Sequence, residues 1–513
     1  MISNGKNITT PQHAQVCVIG SGPAGITAAW ELSKAGLDVI LLDGGRQLDY
    51  SRPGYYKQSW PDKVKLYNGL ADGNFSKNEG EFLIVPYGGN TGPTRERERV
   101  HGGTSTHWGG QSRPLDPIVF EKRPGFPGWP ITRAELDPYY AKAVTLNHLY
   151  GAYGKNGANF TADFWAAEML KKGLQAAVPS LENFNAEMYQ FMGYQWLNFA
   201  TRPFDGVKNI GASAVRVIVN ATLLNIVEQG GSVQRLEIAS MNDDPNNPQK
   251  ATEFTVTADV YILACGAVAN ARQLLLSGVG NNLVGHYFMC HPLSQIPVIQ
   301  TTKTYLSQAE SNLMNGSGWS DPTGNNVGIT GRFIANADTA KSNGIGRCWF
   351  WANDQYGSSS MYFEMAPNYD SYVALDNTSD NPPDPVFGQP QTHIHWAFSD
   401  LDKKTYETNC SLFKQATKGA ISWQNWDSIA DQWTVNGHHI GTTRMSASTA
   451  PTEGVVDQNL KVHGVDNLYV GGASVFASAG ISNPTMTIIT LSIRLAEHVQ
   501  TQVPKTRARA SRA

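Results

Sequence analysis

The pattern of hydrophobic and polar positions near the start of the chain predicts a strand, a glycine turn, a helix and a second strand. An apolar run leads to Ile19, an alanine-rich helical stretch covers about Pro23 to Lys34, and a second apolar run, VILLD, ends at Asp43. Proline is accepted in the first turn of a helix, because its missing N–H would have no helical partner there. This order is typical of a parallel sheet with crossover helices.

Three later segments show equally regular patterns. The stretch ATLLNIVEQGGSVQRLEIAS alternates and predicts two strands joined by a Gly-Gly turn, and VYILACGAVANARQLLLSG predicts a strand, a glycine turn and a helix. NPTMTIITLSIRLAEHV predicts a final helix that starts at proline. Residues 51 to 100 and 300 to 380 are rich in Gly, Pro and Asn, and we expect long ordered loops there.

Length and composition set the class of protein. A chain of 513 residues exceeds what one hydrophobic core normally organises, so two domains are expected. With 41% hydrophobic and 16% charged residues it has ordinary globular composition. The net charge of -3 argues against a nucleic-acid-binding protein, which would normally be strongly basic. A short basic tail, KTRARASRA, is expected to be solvated and disordered.

Targeting signals and cysteine usage favour a reducing compartment. The first residues, MISNGKNITTPQHAQ, lack the apolar core of a secretory signal, and no apolar run is long enough for a membrane span. The five cysteines form no CxxC and are odd in number, which predicts free thiols. We therefore expect a cytoplasmic protein, and we predict no metal site.

The glycine turn has the sequence of a dinucleotide-binding loop. Gly20, Gly22 and Gly25 form GxGxxG between the first strand and the first helix. Glycines there allow a tight turn, a close approach to a pyrophosphate and close helix packing, and the helix N-terminus offers free N–H groups to the phosphates. Asp43 ends the next strand about 20 residues on, where its carboxylate can accept from ribose hydroxyls.

The far end of the chain resembles the C-terminal segment of the glucose-methanol-choline (GMC) oxidoreductases. The stretches that carry the resemblance are GHHIGTTRM and GVVDQNLKVHGVDNLYVGGASVFASAGISNPTMTIITLSIRLAEHV. It continues through ACGAVANARQLLLSG and NLVGHYFMCHP, and GGTSTHWGGQSRPLDP is similar to the family's flavin-ring loop. The resemblance implies that the nucleotide is FAD, and that the fold is α/β (α+β overall): a Rossmann-like FAD-binding domain with an inserted sheet-based substrate domain.

The same resemblance implies where the chain divides and which residues line the cofactor site. The FAD-binding domain is expected from residues 14–125, 205–290 and 440–502, the substrate domain from 126–204 and 291–439, and the disordered basic tail from 503–513. Beyond the glycine loop, the expected cofactor-binding residues are Gly103, Thr104, Thr106, His107, Trp108, Ala264, Gly266, Gly472, Ala473, Pro484 and Thr485.

Two positions match the family's catalytic pair. Alcohol oxidation by a flavin moves a hydride from carbon to flavin N5 while a base removes the hydroxyl proton, and a neutral imidazole suits that task near pH 7. The family's base opens an H-x-x-G-T pattern, which here begins at His438, whereas the next residue, His439, is expected to pack nearby. The second catalytic position falls on Asn483, although an asparagine before a proline is also a good helix N-cap.

A histidine in the flavin-ring loop raises the question of covalent linkage. In pyranose oxidases and choline oxidases, members of the family, a histidine of this loop is bonded to the flavin 8α-methyl group. This chain reads STHW, the pyranose oxidase form, which places His107 at that position. Many bacterial relatives carry asparagine there and bind FAD without a bond, so covalent and non-covalent FAD both remain open.

The substrate is inferred from the same comparison of motifs. STHW, the Gly471-Gly472 pair and Asn483 together favour the pyranose oxidase type, and hence oxidation of a secondary hydroxyl of a sugar or glycoside to a ketone. An oxidase or dehydrogenase of a non-sugar alcohol is the alternative, and a non-redox FAD-containing lyase or a scaffold with a vestigial flavin site also stays open. Oxygen, a quinone or another acceptor reoxidises the flavin, and the sequence does not decide between a monomer and a homo-oligomer.

Overall fold

The computed structural model describes residues 1–47, 74–77, 80–81, 99–106, 108–155, 157–242, 249–294, 299–300, 305–319, 328–353, 358–376, 383–384, 386–429, 433 and 437–503. The strands of this part of the chain, β1 to β20, are Ile2–Asn4, Gln12–Ile19, Val39–Leu42, Asn74–Lys77, Gly80–Glu81, Gln111–Ser112, Phe184–Phe191, Arg216–Val219, Thr222–Gln229, Ser232–Met241, Lys250–Leu263, Leu293–Ser294, Ile299–Gln300, Ile329–Ala335, Cys348–Asn353, Ser358–Phe363, Tyr372–Asp376, Gln391–His395, Ile421–Ser422 and Leu468–Val470. The helices, α1 to α10, are Pro23–Lys34, Arg133–Leu146, Ala162–Lys171, Tyr194–Leu197, Ala267–Ser277, Gln308–Asn315, Ala337–Asn343, Asp400–Ala416, Trp426–Ile429 and Thr485–Gln502.

The larger sheet has the predicted Rossmann-like core. Its strand order is β1-β8-β3-β2-β11-β10-β9, with β20 paired to β11. The central strands β8, β3, β2, β11 and β20 are parallel, and β9 and β10 form the predicted hairpin, to which β11 adds a third antiparallel strand. Parallel strands are covered by helices on their faces, which is why their sequences read as continuous apolar runs. The fold class expected from the sequence is confirmed.

A second, antiparallel sheet lies in the region expected to bind substrate. Its order is β12-β16-β15-β14-β7-β6. Five of these strands come from the two segments predicted for the substrate domain, and β6 comes from residues 111–112, before its predicted start. The larger sheet likewise takes in β1, which precedes residue 14. The exact domain boundaries stay a prediction.

The expectation of long loops in residues 300 to 380 was wrong. This stretch holds helices α6 and α7 and strands β14 to β17. Every residue of β14, ITGRFIA, is buried, so the strand lacks the alternation that marks a half-exposed one. In residues 51 to 100, the described part includes the short strands β4 and β5, and the remainder lies outside the described residues.

Other expectations concern the ends of the chain and its cysteines. All five cysteines are free, as predicted. The basic tail lies outside the described residues, except that Val503, its expected first residue, is only 5% exposed and closes the last helix. Among the described helices, none combines the length and the apolarity that a membrane crossing requires.

Candidate active site

The predicted dinucleotide loop lies where β2 meets α1, and the structure explains its glycines. A Cβ on Gly25 would lie 1.8 Å from the Gly20 carbonyl oxygen, so only glycine lets the helix pack this closely on the turn. Gly20 has a φ of +101°, and a Cβ placed on it would lie 2.4 Å from the Ala264 carbonyl oxygen. Gly22 is different, because none of the described residues comes within 4 Å of a Cβ placed there. The described part of the chain therefore leaves the N-terminus of α1 open at Gly22, where a helix can bind a phosphate group.

Asp43 is directed back towards this loop. Its carboxylate accepts from the backbone N–H of Ser21 at 2.9 Å, from the Ser21 hydroxyl at 2.5 Å and from the Gly45 N–H at 2.7 Å. An ionised carboxylate offers about four acceptor sites, so about one remains for a ribose hydroxyl. The expected ribose contact stays a prediction, and the structure adds that Asp43 holds the glycine loop in place.

The flavin-ring loop contacts the dinucleotide loop through the same serine. The Ser21 hydroxyl accepts from the Gly102 N–H at 3.0 Å and lies 3.1 Å from Nδ1 of His101. His101 is fully buried, and burial lowers its pKa although the nearby Asp43 raises it. Sequence reasoning did not single out Ser21 or His101, since a serine inside GxGxxG and a histidine at a loop edge are common.

The predicted flavin-loop residues begin in a short 3-10 turn, Gly103–Thr106. A Cβ on Gly103 would lie 3.2 Å from the Cα of Gly22, so this turn runs directly over the dinucleotide loop. Thr106 donates its hydroxyl to the Gly103 carbonyl at 3.0 Å, and Trp108 donates its indole N–H to the Leu197 carbonyl at 2.9 Å. Thr104 lies within the turn, and His107 lies outside the described residues.

Asn270 joins two of the three remaining groups of predicted cofactor residues. Its Oδ1 accepts from the Cys265 N–H at 2.8 Å, between Ala264 and Gly266. Its Nδ2 donates to the Gly471 carbonyl and to the Ser474 hydroxyl, each at 2.9 Å, on either side of Gly472 and Ala473. The ends of β11 and β20 are thereby held side by side, which sequence reasoning from glycines alone did not reveal.

The two predicted catalytic residues lie next to each other. Nδ2 of Asn483 is 3.3 Å from Nε2 of His438, although the residues are 45 positions apart in the chain. Both side chains are partly exposed, whereas their neighbours Ile440 and Ser482 are buried. His438 and Asn483 therefore lie at the edge of the buried core, where part of each residue is exposed.

Two further residues complete this cluster. Nδ1 of His438 is 2.9 Å from Nδ1 of His291, and the Tyr362 hydroxyl donates to Oδ1 of Asn483 at 3.4 Å. The rings of His291 and Tyr362 are stacked, with centroids 4.9 Å apart. His291 is the next-to-last residue of the NLVGHYFMCHP block that carries the family resemblance, but the block alone assigned it no role.

Burial keeps the histidine cluster neutral. It lowers the pKa of His291 to about 4, although the hydrogen bond to the Gly480 carbonyl raises it. Burial also lowers the pKa of His438 well below its usual value, with smaller contributions from His291 and His439. A neutral imidazole at His438 can accept a proton near pH 7. His439 is buried and packs against Phe288, as expected.

The N-cap alternative for Asn483 is not what the structure shows. Helix α10 begins at Thr485 with Pro484 as its N-cap, and no side chain caps it. The amide of Asn483 is instead directed to His438 and Tyr362. Pro484 and Thr485 bring the first turn of α10 to the same place as the catalytic pair.

Comparison with known proteins finds two matching families and several relatives that match over nearly the whole chain. Residues 367–492 match the family described as GMC oxidoreductase, and residues 14–81 match the family described as pyridine nucleotide-disulphide oxidoreductase. The 2-methyl-1,2-propanediol dehydrogenase of Mycolicibacterium austroafricanum is 23% identical, over 96% of each chain. The fructose dehydrogenase large subunit of Gluconobacter japonicus is 21% identical, over 95% of this chain and 97% of its own.

Solved structures show the same fold. Formate oxidase from Aspergillus oryzae superposes with a TM-score of 0.58 at 16% identity, over 96% of this chain and 99% of its own. With the glycine loop, the joined β-strand ends and the His438–Asn483 pair, these findings define the class of protein. The chain is an FAD-dependent oxidoreductase that acts on CH–OH groups, and its C-terminal segment is similar to the GMC oxidoreductases.

Proposed function

We propose that this enzyme oxidises a secondary hydroxyl of a sugar or glycoside to a ketone, with His438 as the base. The observation that carries the proposal is the pairing of a neutral, partly exposed imidazole with the amide of Asn483 at 3.3 Å. A substrate hydroxyl between these groups donates its proton to Nε2 of His438, while Nδ2 of Asn483 donates to the substrate oxygen. Bound FAD supplies the acceptor for the hydride that leaves the same carbon.

The open space at Gly22 and the residues tied together by Asn270 fit this cofactor. We propose that Gly20, Gly22, Gly25 and the first turn of α1 hold the pyrophosphate. The other predicted contacts are to the flavin and ribose, and they come from the 3-10 turn at residues 103–106 and from residues 264–266, 472–473 and 484–485. These roles rest on the motifs together with the way the structure brings the segments to one end of the parallel sheet.

A sugar substrate is supported by the motifs STHW, Gly471-Gly472 and Asn483. Tyr362 and Trp349 stack at a centroid distance of 4.4 Å on neighbouring strands, and the Tyr362 hydroxyl reaches Asn483. Both rings are buried, so they support the amide of Asn483 from behind and do not form a surface for the substrate. The relative named for fructose supports the proposal, whereas the relative named for a propanediol favours the second candidate, a non-sugar alcohol.

The test is an anaerobic titration of the purified holoenzyme with monosaccharides, glycosides and simple alcohols, followed by flavin absorbance. We expect a pyranose or glycoside to bleach the flavin, and His438→Gln to slow the bleaching by about 10²- to 10⁴-fold, the range for general base catalysis. His463→Gln, at a half-exposed histidine bonded to Ser446, serves as the control. Bleaching by aliphatic diols alone would favour the second candidate, and no bleaching by any compound would contradict the redox function.

The predicted location and partners follow from the sequence alone. A cytoplasmic enzyme with oxygen, a quinone or another small acceptor is consistent with free buried cysteines. The oligomeric state stays open, and size measurement of the holoenzyme in solution decides it.

A further inference from the structure

A chain of hydrogen bonds runs inward from the catalytic pair to a backbone carbonyl, and its inner end fixes every proton along it. Nε2 of His291 is 3.0 Å from the Gly480 carbonyl oxygen. A carbonyl can only accept, so Nε2 of His291 carries a hydrogen. Since His291 is neutral, its Nδ1 has no hydrogen and can only accept.

The same argument applies to the ring of His438. Nδ1 of His291 lies 2.9 Å from Nδ1 of His438, so His438 must donate, and its own hydrogen is on Nδ1. Nε2 of a neutral His438 then holds a free lone pair. The outer end of the hydrogen-bond chain fits this proton position. The Tyr362 hydroxyl donates to Oδ1 of Asn483, and this orientation turns Nδ2 towards His438.

We infer that His291 is a positioning residue that keeps the proton of His438 on Nδ1 and so leaves Nε2 free for the substrate's hydroxyl proton. The inference rests on the proposed role of His438 as base. The opposite tautomer, with hydrogen on Nε2, would present a donor to the substrate and could not take its proton.

The surroundings of His291 hold its ring in this orientation. The ring is fully buried and stacks on Tyr362 with an interplanar angle of 8°. Gly480 has a φ of +63°, and a Cβ there would lie 2.7 Å from Leu115, so glycine is needed to present this carbonyl. A ring held in this orientation keeps Nε2 opposite the Gly480 carbonyl, which favours the tautomer with its hydrogen on Nε2.

The proton balance of the reaction follows from this arrangement. The substrate O–H bond breaks, an N–H bond forms at Nε2 of His438, and the new positive charge lies on His438. Its Nδ1–H remains hydrogen-bonded to Nδ1 of His291, which stabilises the cation. Among the described residues, the titratable groups that face His438 are His291, His439 and Tyr362.

Removing His291 should therefore change both tautomer and pH dependence. His291 is neutral above its pKa of about 4, so in that range it acts on His438 through their hydrogen bond and not through charge. This bond favours the protonated form of His438, so its removal lowers the pKa of His438. We expect the acid limb of kcat/KM in His291→Leu to move to lower pH, and kcat to fall with little change in KM.

The deciding experiment is ¹⁵N NMR of holoenzyme labelled at histidine, which needs no substrate. The His438 signals are assigned by their absence in His438→Gln. In the wild type we expect a protonated Nδ1 and an unprotonated Nε2 at His438; in His291→Leu we expect Nε2 to become partly protonated. His291→Gln, whose amide oxygen can accept from His438, should restore part of the activity, and His463→Leu should change neither the tautomer nor the pH profile.

Each result bears on a different claim. A wild-type His438 with its hydrogen on Nε2 overturns the inference even if the enzyme oxidises sugars. An unchanged tautomer and acid limb in both His291 variants overturns it too. If instead the tautomer is as inferred but His438→Gln bleaches normally, the proposed base is wrong, while the ordering of His438 by His291 stands.

Discussion

Asn483 shows how one side chain is set by its neighbours at the scale of a single residue. The sequence left two roles for it, because the residue before a proline at a helix start often caps the helix. In the structure its oxygen accepts from Tyr362 and its nitrogen faces His438, so no acceptor remains directed at the helix. Helix α10 begins without a side-chain cap, which leaves its N–H groups and its positive end available near the catalytic pair.

The first prediction tests the side-chain amide of Asn483. We expect Asn483→Ala to lower kcat by about 10²- to 10³-fold, the usual loss for one donor that stabilises a developing oxyanion. Asn483→His keeps a donor and should retain more activity. Tyr362→Phe, which removes only the hydroxyl that orients the amide, is the milder control. Equal kcat in all three variants and the wild type would contradict a role for the amide in the reaction.

The second prediction concerns His107 and the flavin. If its imidazole is bonded to the 8α-methyl group, acid precipitation of the holoenzyme leaves the yellow colour in the pellet. His107→Asn, the residue of many non-covalent relatives, should release that colour to the supernatant while still binding FAD. A colourless wild-type pellet would rule out the covalent link and leave non-covalent FAD.

At the scale of elements, the glycine loop contains two glycines with opposite reasons for being there. Gly25 is required by packing, since its Cβ would collide with the Gly20 carbonyl. Gly22 has no described residue within 4 Å of a Cβ placed there, and its φ of -72° is one that any residue can adopt. The described part of the fold therefore accommodates a methyl group at Gly22, and a bound ligand there would exclude one.

The third prediction follows from this contrast. Gly25→Ala should lower the free energy of unfolding by about 1–3 kcal/mol through overpacking. Gly22→Ala should leave the apoprotein's unfolding nearly unchanged but reduce the flavin bound per protein, as measured by the ratio of flavin to protein absorbance. A Gly22→Ala protein with full flavin content would show that the pyrophosphate does not approach this residue.

A second set of elements is held together by a buried ion-pair network. Asp116, beside the first 3-10 turn after β6, accepts from Arg113 at 2.6 Å and from Arg347 at 2.5 Å. Arg113 also donates to the hydroxyl of Ser482 at 3.0 Å, next to the catalytic amide. The network thus connects the antiparallel sheet to the segment that carries Asn483.

The fourth prediction is a pH-dependent loss of stability in Asp116→Asn. Burial raises the pKa of Asp116, but the charges of Arg113 and Arg347 lower it by more, so the pKa lies well below its usual value. A carboxyl group whose pKa is lowered by folding stabilises the fold at pH values above its unfolded-state pKa of about 4. This stabilisation is lost as the pH falls through the folded-state pKa. We expect a loss of about 3 kcal/mol in urea unfolding at pH 7, and a smaller difference at pH 3.

The matched control is Asp38→Asn, which breaks the exposed pair with Arg216. An exposed pair contributes about 0–1 kcal/mol, because water screens it and both side chains lose freedom. Equal losses in the two variants at pH 7 would contradict a special role for the buried network.

The sequence could predict the elements with strong periodicity and could not predict the partners of their side chains. Helix α1 has the predicted bounds, and the β9–β10 hairpin and the last helix were also predicted correctly. Strand β14 was missed because full burial removes its alternation. His438 and Asn483 were identified through a resemblance, but His291, Tyr362 and Asn270 act through contacts between distant segments, which no local pattern encodes.

At the scale of the whole molecule, the two sheets share one core and the site draws on segments from all along the chain. A single cluster of buried side chains includes Val18 and Leu263 of the parallel sheet and Phe333 and Phe350 of the antiparallel sheet. The predicted FAD contacts come from residues 20–25, 103–108, 264–266, 472–473 and 484–485. FAD should therefore stabilise the whole fold rather than one domain.

The fifth prediction concerns the thermal unfolding of apoprotein that is produced under riboflavin limitation and measured with and without added FAD. A ligand that binds only the native state adds about 4 kcal/mol when its concentration is a thousandfold above Kd. Because the core is continuous across both sheets, we expect one cooperative transition whose Tm rises with added FAD. Two transitions, of which FAD moves only one, would mean that the antiparallel sheet folds independently and that the shared core contributes little to cooperativity. His438 and Asn483 would then be brought together by docking of two folded units, and substrate binding would depend on that docking.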